Sequence, residues 1–146
     1  MNISRLSLLF FIVAGMAACS PSNDYLKVRE DVMTLHDSVM MKNDRIVNQE
    51  MKIDTLLRNL GRLKSSKPNV DTADVRKNLS ALQKELEMAE ESMNEWMHRF
   101  QPDVEGKSNQ EAVTYFTKEA EKIKKIDQLY DEKIKKADTY LSTISQ

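Results

Sequence analysis

Cysteine is almost missing from this chain: Cys19 is the only one in 146 residues. That excludes an internal disulfide framework, a CxxC redox pair and a cysteine-rich zinc site. Glycine and proline are scarce too, three of each. No Gly-rich loop is present to cradle a phosphate, and there is neither an HExxH segment nor a serine in a recognisable nucleophile turn. Neither sign of charge dominates, with 22 Lys and Arg against 23 Asp and Glu. No basic footprint for nucleic acid or for an anionic membrane surface follows from that balance. No apolar run reaches the ~20 residues that span a bilayer. With so little chemistry available, the chain is expected not to be an enzyme, and slim helical rods offer little concave pocket.

The longest apolar run is Leu6-Ser7-Leu8-Leu9-Phe10-Phe11-Ile12-Val13-Ala14-Gly15, preceded by Arg5 and followed by Met16-Ala17-Ala18-Cys19. This is the layout of a signal peptide, too short for a membrane helix. Small Ala17 and Ala18 let a peptidase approach the backbone, and cleavage is expected between Ala18 and Cys19. The Cys19 thiol is then the attachment point for diacylglycerol, the reading of a bacterial lipoprotein. An ordinary signal peptide with an incidental cysteine is the alternative. The lack of any disulfide partner favours lipidation. Two or three acyl chains anchor stably where one does not. Ser20 rather than Asp follows the cysteine, which favours the outer membrane, on its periplasmic side or at the cell surface. No cofactor is expected beyond the covalent lipid. The domain reading is a signal peptide over 1–18, lipidated Cys and tether over 19–24, and a helical domain over 25–146.

Apolar residues of that domain recur at steps of three and four, which keeps them on one helix face. The first helix, about 25–64, carries Tyr25, Val28, Val32, Leu35, Val39, Ile46, Ile53, Leu56, Leu60 and Leu63, interrupted only by Lys42 and Gln49. Pro68 ends it, and Asp71 is an N-cap for the second, with Val70 and Val75 at the positions of a hydrophobic staple. The second helix, about 72–100, carries Val75, Leu79, Leu82, Leu86, Ala89, Met93, Trp96 and Phe100. Ser108 and Glu111 form a capping box for the third, about 109–145, with Val113, Phe116, Ala120, Ile123, Tyr130, Ile134, Ala137, Leu141 and Ile144. The fold class is therefore all-α: an antiparallel up-down-up three-helix bundle with coiled-coil-like packing. The rival is a homodimeric coiled coil through helix one, but helices two and three would then need covering.

Asp127 interrupts the third stripe. In the up-down-up register it falls near Ile46, which predicts a polar core layer of Lys42, Gln49 and Asp127. Such a layer fixes register at a cost in stability. Glu119 and Lys122 have the spacing of an exposed local pair.

Two further groupings arise at one end of the bundle. Trp96, Met97, His98 and Phe100 exceed what the stripe requires, and aromatics with Met are enriched in interface cores, so they are a candidate partner surface. His36, Met40, Met93, Met97 and His98 fall near one level. Thioether and imidazole suit Cu(I), which makes these five a candidate metal set. Ordinary packing by flexible Met side chains is the competing account.

Leu35-His36-Asp37-Ser38-Val39-Met40-Met41-Lys42 and Met93-Asn94-Glu95-Trp96-Met97-His98-Arg99-Phe100 resemble two stretches of small lipoproteins from the Bacteroidetes phylum. The order of parts is similar: lipobox, a helix with an LHDxVM-like segment, a helix ending in a WMHxF-like segment, then a Lys-rich third helix. Such proteins often carry the label "viral A-type inclusion protein", a coiled-coil artefact rather than a function. Met41 stands where they often have Pro. The resemblance implies an envelope lipoprotein with no catalytic residues to carry over. It raises interest in His36, Asp37, Trp96 and His98. Together these readings lead to a lipid-anchored structural or adaptor protein, bound to membrane through acyl chains and to an envelope protein through its helices, with a metal-binding module as the alternative.

Overall fold

The three apolar stripes become helices that bury one another. The computed structural model describes residues 24–145; the expected signal peptide over 1–18, the expected cleavage and lipidation site at Ala18 and Cys19, and the expected tether up to Asn23 lie outside the described residues. Four helices pack together and no strand occurs among the described residues. They are α1 (Asp24–Arg58), α2 (Leu60–Ser66), α3 (Thr72–Arg99) and α4 (Asn109–Ser145). The core follows the stripes closely. Val32, Val39, Ile46, Ile53 and Leu60 stand seven residues apart and are all buried. They meet Leu79, Leu82, Leu86, Ala89 and Met93 of α3 and Phe116, Ile123, Tyr130, Ile134 and Ala137 of α4 in one cluster. Burying each large apolar side chain contributes about 1.5–3 kcal/mol, enough in sum to oppose the chain entropy of ordering long helices.

The predicted first helix of 25–64 is not continuous; it divides at Asn59. The cause is local. The Asn59 side-chain amide donates to the Thr55 carbonyl at 2.7 Å. That is the acceptor its own backbone N–H would use in an α-helix, so the N–H turns to Leu56 O at 3.1 Å instead. Asn side chains compete with the backbone in this way. The stripe survives the interruption, because Leu60 remains buried seven residues after Ile53.

The breaks between the other helices are built from capping chemistry. Lys64 Nζ donates to Pro68 O and Val70 O. Asp71 Oδ1 accepts from Ala73 N and Asp74 N, satisfying two free amides at the start of α3. Glu111 Oε2 accepts from Ser108 N at 2.8 Å while Ser108 Oγ accepts from Glu111 N at 3.3 Å, the reciprocal capping box. Gly106 turns the 100–108 connection with φ of +80°, a conformation that disfavours a side chain. One expected core position moves: Ala112 is buried and Val113 only half-buried. The small Ala lets the first turn of α4 approach its neighbours more closely than the larger Val would.

Cross-links give the directions. Tyr25 stacks near Phe116, Lys42 pairs with Asp127, Asn43 meets Tyr130 and Arg45 reaches Asp138, so residue numbers rise together along α1 and α4. Along α3 they fall as α4 rises: Trp96 meets Glu119, and Glu85 meets Lys133 and Lys136.

Candidate functional site

Aromatic residues concentrate at the end where α1 begins. Trp96 stacks on Phe100 at 4.6 Å between ring centroids. Phe100 lies 6.3 Å from Tyr115 and 6.2 Å from Phe116, and Tyr115 meets Phe116 edge-on at 5.1 Å. Tyr25 joins from the first turn of α1, 6.5 Å from Phe116. Offset and edge-to-face pairs of this kind contribute about 0.5–1.5 kcal/mol each beyond their burial. The connection after α3 is tied to the same cluster. Gln101 N donates to the Tyr115 hydroxyl at 2.8 Å, and Arg29 Nε donates to Pro102 O at 3.2 Å.

The four residues of the expected partner surface do not share one outward face. Trp96 is 6% exposed, and Met97 and Phe100 pack against the core. His98 alone among them is exposed. Met97 and His98 are successive on α3 and so point about 100° apart. The tryptophan faces inward because its N–H has an acceptor there: Nε1 donates to Glu119 Oε2 at 2.8 Å. Glu119, expected on the surface, is itself 6% exposed, with Lys122 Nζ on its other oxygen at 2.7 Å. Two clues in the chain pointed this way. A stripe tryptophan needs a buried acceptor, and Ala120 beside Glu119 leaves room for it.

His36 lies on the flank of α1 that faces this cluster. Its ring is 6.0 Å from that of Trp96, and its Nδ1 is 2.8 Å from Asp37 Oδ1. The candidate metal residues differ in setting. Met93 is closed into the core at 1% exposed, Met40 and His98 face solvent, and Met97 is half-buried. To serve as a ligand, Met93 would have to leave its packed position. Among the described residues no group of three or more His, Cys, Asp or Glu is placed to hold a metal ion.

The polar layer resolves into two separate links between α1 and α4. Lys42 Nζ lies 2.7 Å from Asp127 and 2.8 Å from Asp131. Burial opposes the charged ammonium, but hydrogen bonds and Coulomb attraction from the two carboxylates outweigh it and raise the Lys42 pKa above its ordinary value. Gln49 does not join them. It is buried and donates to Asp138, which Arg45 also contacts at 3.0 Å. The reason is distance: seven residues along a helix is about 10.5 Å, beyond the reach of one carboxylate.

Where α1 meets α3, charge is not balanced in this way. Burial first, then Glu90 and Glu87, push the Glu50 carboxyl above its ordinary value. Glu50 Oε1 is shielded from solvent and has no hydrogen-bond partner. Burial, with Glu90 and Glu50 nearby, pushes the Tyr130 hydroxyl up to about 12, so it stays protonated and donates to Asn43 Oδ1 at 3.1 Å. No helix among the described residues is long and apolar enough to cross a membrane. Comparison with protein families, curated proteins and solved structures finds no match to this chain.

Proposed function

We propose that the protein is a lipid-anchored envelope adaptor: a non-enzymatic rod of helices held at the outer membrane through Cys19, contacting another envelope protein through its helical surfaces. The observation that carries the reading is the spacing between Cys19, at the end of the apolar run Leu6–Gly15 and Ala17-Ala18, and α1, which starts at Asp24. So short a tether sets the aromatic end of the molecule against the lipid. The cross-links support an up-down-up arrangement of three rods with coiled-coil-like packing, in which α1 and α2 together form the first rod. The α1–α4 and α3–α4 ion pairs make those two seams polar-stapled and specific, which suits a spacer that must keep one shape while its partner binds.

Two measurements test this. Cys19→Ala is expected to move the protein from the membrane to the soluble fraction; retention in the membrane fraction would exclude lipid anchoring. A photo-crosslinking side chain at exposed helical positions, followed by purification from native membranes, is expected to return one reproducible envelope protein. Failure at every position would exclude the adaptor role.

A further inference from the structure

α1 carries a second stripe beside the one that faces the core. Leu26, Arg29, Met33, His36, Met40, Asn43, Val47 and Glu50 alternate at steps of three and four without a miss. A second stripe of this period is the pattern of a helix with two packing seams. Half of it is used inside the molecule. His36 meets Trp96, Asn43 meets Tyr130, and Glu50 lies beside Glu87 and Glu90 of α3. The other half is bare: Leu26, Met33, Met40 and Val47, seven residues apart, are 44%, 37%, 37% and 40% exposed. Three helix seams are therefore written into α1, α3 and α4, while the chain fills the α1–α3 seam from one side only.

Charge says what fits there. Glu30, Asp37 and Asp44 each follow an apolar stripe residue by four and line the outer edge. At the far end of the stripe Glu50 stands on the inner edge, with Glu87 and Glu90 of α3 beside it. Among the described residues Glu30, Asp44, Glu50, Glu87, Glu90 and Glu91 form no ion pair. The stripe itself holds one cation, Arg29, engaged with Pro102 O, while Lys42 and Arg45 of the same helix are paired with carboxylates of α4. A second copy docking through the same flank would set one acidic row against another, which destabilises a helix pair. An anionic membrane surface is repelled for the same reason. Methionine, flexible and polarisable, adapts to the side chains of an incoming helix.

We infer that the outer flank of α1, with the facing edge of α3, is a docking groove for an amphipathic helix of a partner protein whose apolar face is flanked by Lys or Arg on both sides. The inference rests on the adaptor reading and names the surface and the partner chemistry. Apolar anchors at heptad spacing would seat between Met33 and Met40, while the flanking cations neutralise the outer acidic row on one side and the Glu50, Glu87 and Glu90 group on the other.

Calorimetric titration of the full-length protein in non-ionic detergent tests it. The probes are two designed helical peptides of about 24 residues, long enough to run from Leu26 to Val47. Both carry Leu at the apolar positions; one has Lys on both flanks and the other Glu. The Lys-flanked peptide is expected to bind at least about tenfold more tightly, and to weaken as salt is raised. Met33→Asn/Met40→Asn is expected to weaken it by about tenfold with no change in thermal stability, since both side chains are exposed. Asp37→Lys/Asp44→Lys is expected to shrink the preference for the Lys-flanked peptide, since Glu50, Glu87 and Glu90 keep the inner edge acidic. Equal binding of the two peptides, or indifference to both double variants, overturns the groove. So does a disulfide dimer formed between copies of Met40→Cys, or binding to anionic vesicles that the Met33→Asn/Met40→Asn change abolishes. Photo-crosslinkers at positions 40 and 124 separate this from the parent reading. Capture at 124 alone leaves the adaptor standing and removes the groove, whereas capture at neither removes both.

Discussion

Glu119 is the polar residue of the aromatic end whose loss should be felt strongly. Its carboxylate accepts from the Trp96 indole N–H at 2.8 Å, and both residues are 6% exposed. Glu119→Ala strips a buried donor of its acceptor, which costs about 1–3 kcal/mol, and it also removes packed methylenes at about 0.8 kcal/mol each. A total of about 2–4 kcal/mol corresponds to a fall in Tm of about 8–16 °C for a helical domain of this size. Glu119→Gln keeps the shape and an acceptor oxygen but loses the charge. It should cost only about 1 kcal/mol, the gap between a charged and a neutral hydrogen bond. Lys122 adds little to either figure, because its side chain is 60% exposed and such pairs are weak. The pair Trp96→Phe with Glu119→Leu replaces both partners by apolar groups and should destabilise by less than the sum of the single changes. Urea unfolding followed by circular dichroism measures the parent, each single change and the double change, and Trp96 fluorescence reports the local environment in the chains that keep the tryptophan. A cost below about 0.5 kcal/mol for Glu119→Ala would refute the claim that this hydrogen bond holds the aromatic end together.

Two further expectations concern charge. Asp127→Leu leaves Lys42 its second carboxylate, Asp131, and replaces a half-buried ion with an apolar group. Thermal stability should change by no more than about 1 kcal/mol, and a loss above about 2 kcal/mol would show that the pair's attraction far exceeds its desolvation. Glu50 has a raised carboxyl pKa, so the folded chain binds its proton more tightly than the unfolded chain does. Its contribution to folding is therefore full below the ordinary carboxylate range and is lost as pH rises through the raised value. Glu50→Gln should raise Tm at pH 7 by about 1–2 °C, and the gain should vanish by about pH 3, below the ordinary carboxylate range, where Glu50 is protonated in both states. A gain that persists at low pH would show that something other than the carboxylate repulsion is responsible. Glu85, lowered by its hydrogen bonds to Lys136 and Lys133 against the opposing effect of burial, acts in the opposite sense in the same parent chain. Its stabilising contribution is lost as pH falls, so the comparison must be made between variant and parent at each pH.

What could be read from the chain was what periodicity and local capping decide. The strict 3-4 spacing of Val75 to Phe100 places α3 to within a residue, because a helix that must bury one face has no freedom in where its apolar residues fall. Pro68, Asp71 and the Ser108–Glu111 box mark the breaks through interactions within a few residues. What escaped depended on choices between near-equal neighbours or on partners distant in the chain. Asn59 stops α1 through a side-chain bond that competes with a backbone bond of similar strength, and nothing in the stripe registers it. Glu119 and Lys122 look like any surface pair until a tryptophan 23 residues earlier turns its N–H inward. Gln49 was one turn-pair too far from Asp127, an offset that only the actual register of α1 against α4 reveals.

The seam between α1 and α4 has a consequence for how the molecule comes into being. Its links join residues far apart in the chain: Asn43 with Tyr130 at a separation of 87, Gln49 with Asp138 at 89, and Arg45 with Asp138 at 93. The first helix made must wait for the last before its principal interface can close, and such non-local pairing slows folding. A ribosome that has released only α1 to α3 holds a chain whose apolar faces lack their third wall. The interface between α1 and α4 therefore closes last, and at its far end Lys67 Nζ donates to the carbonyl of Ile144 in the final turn of α4.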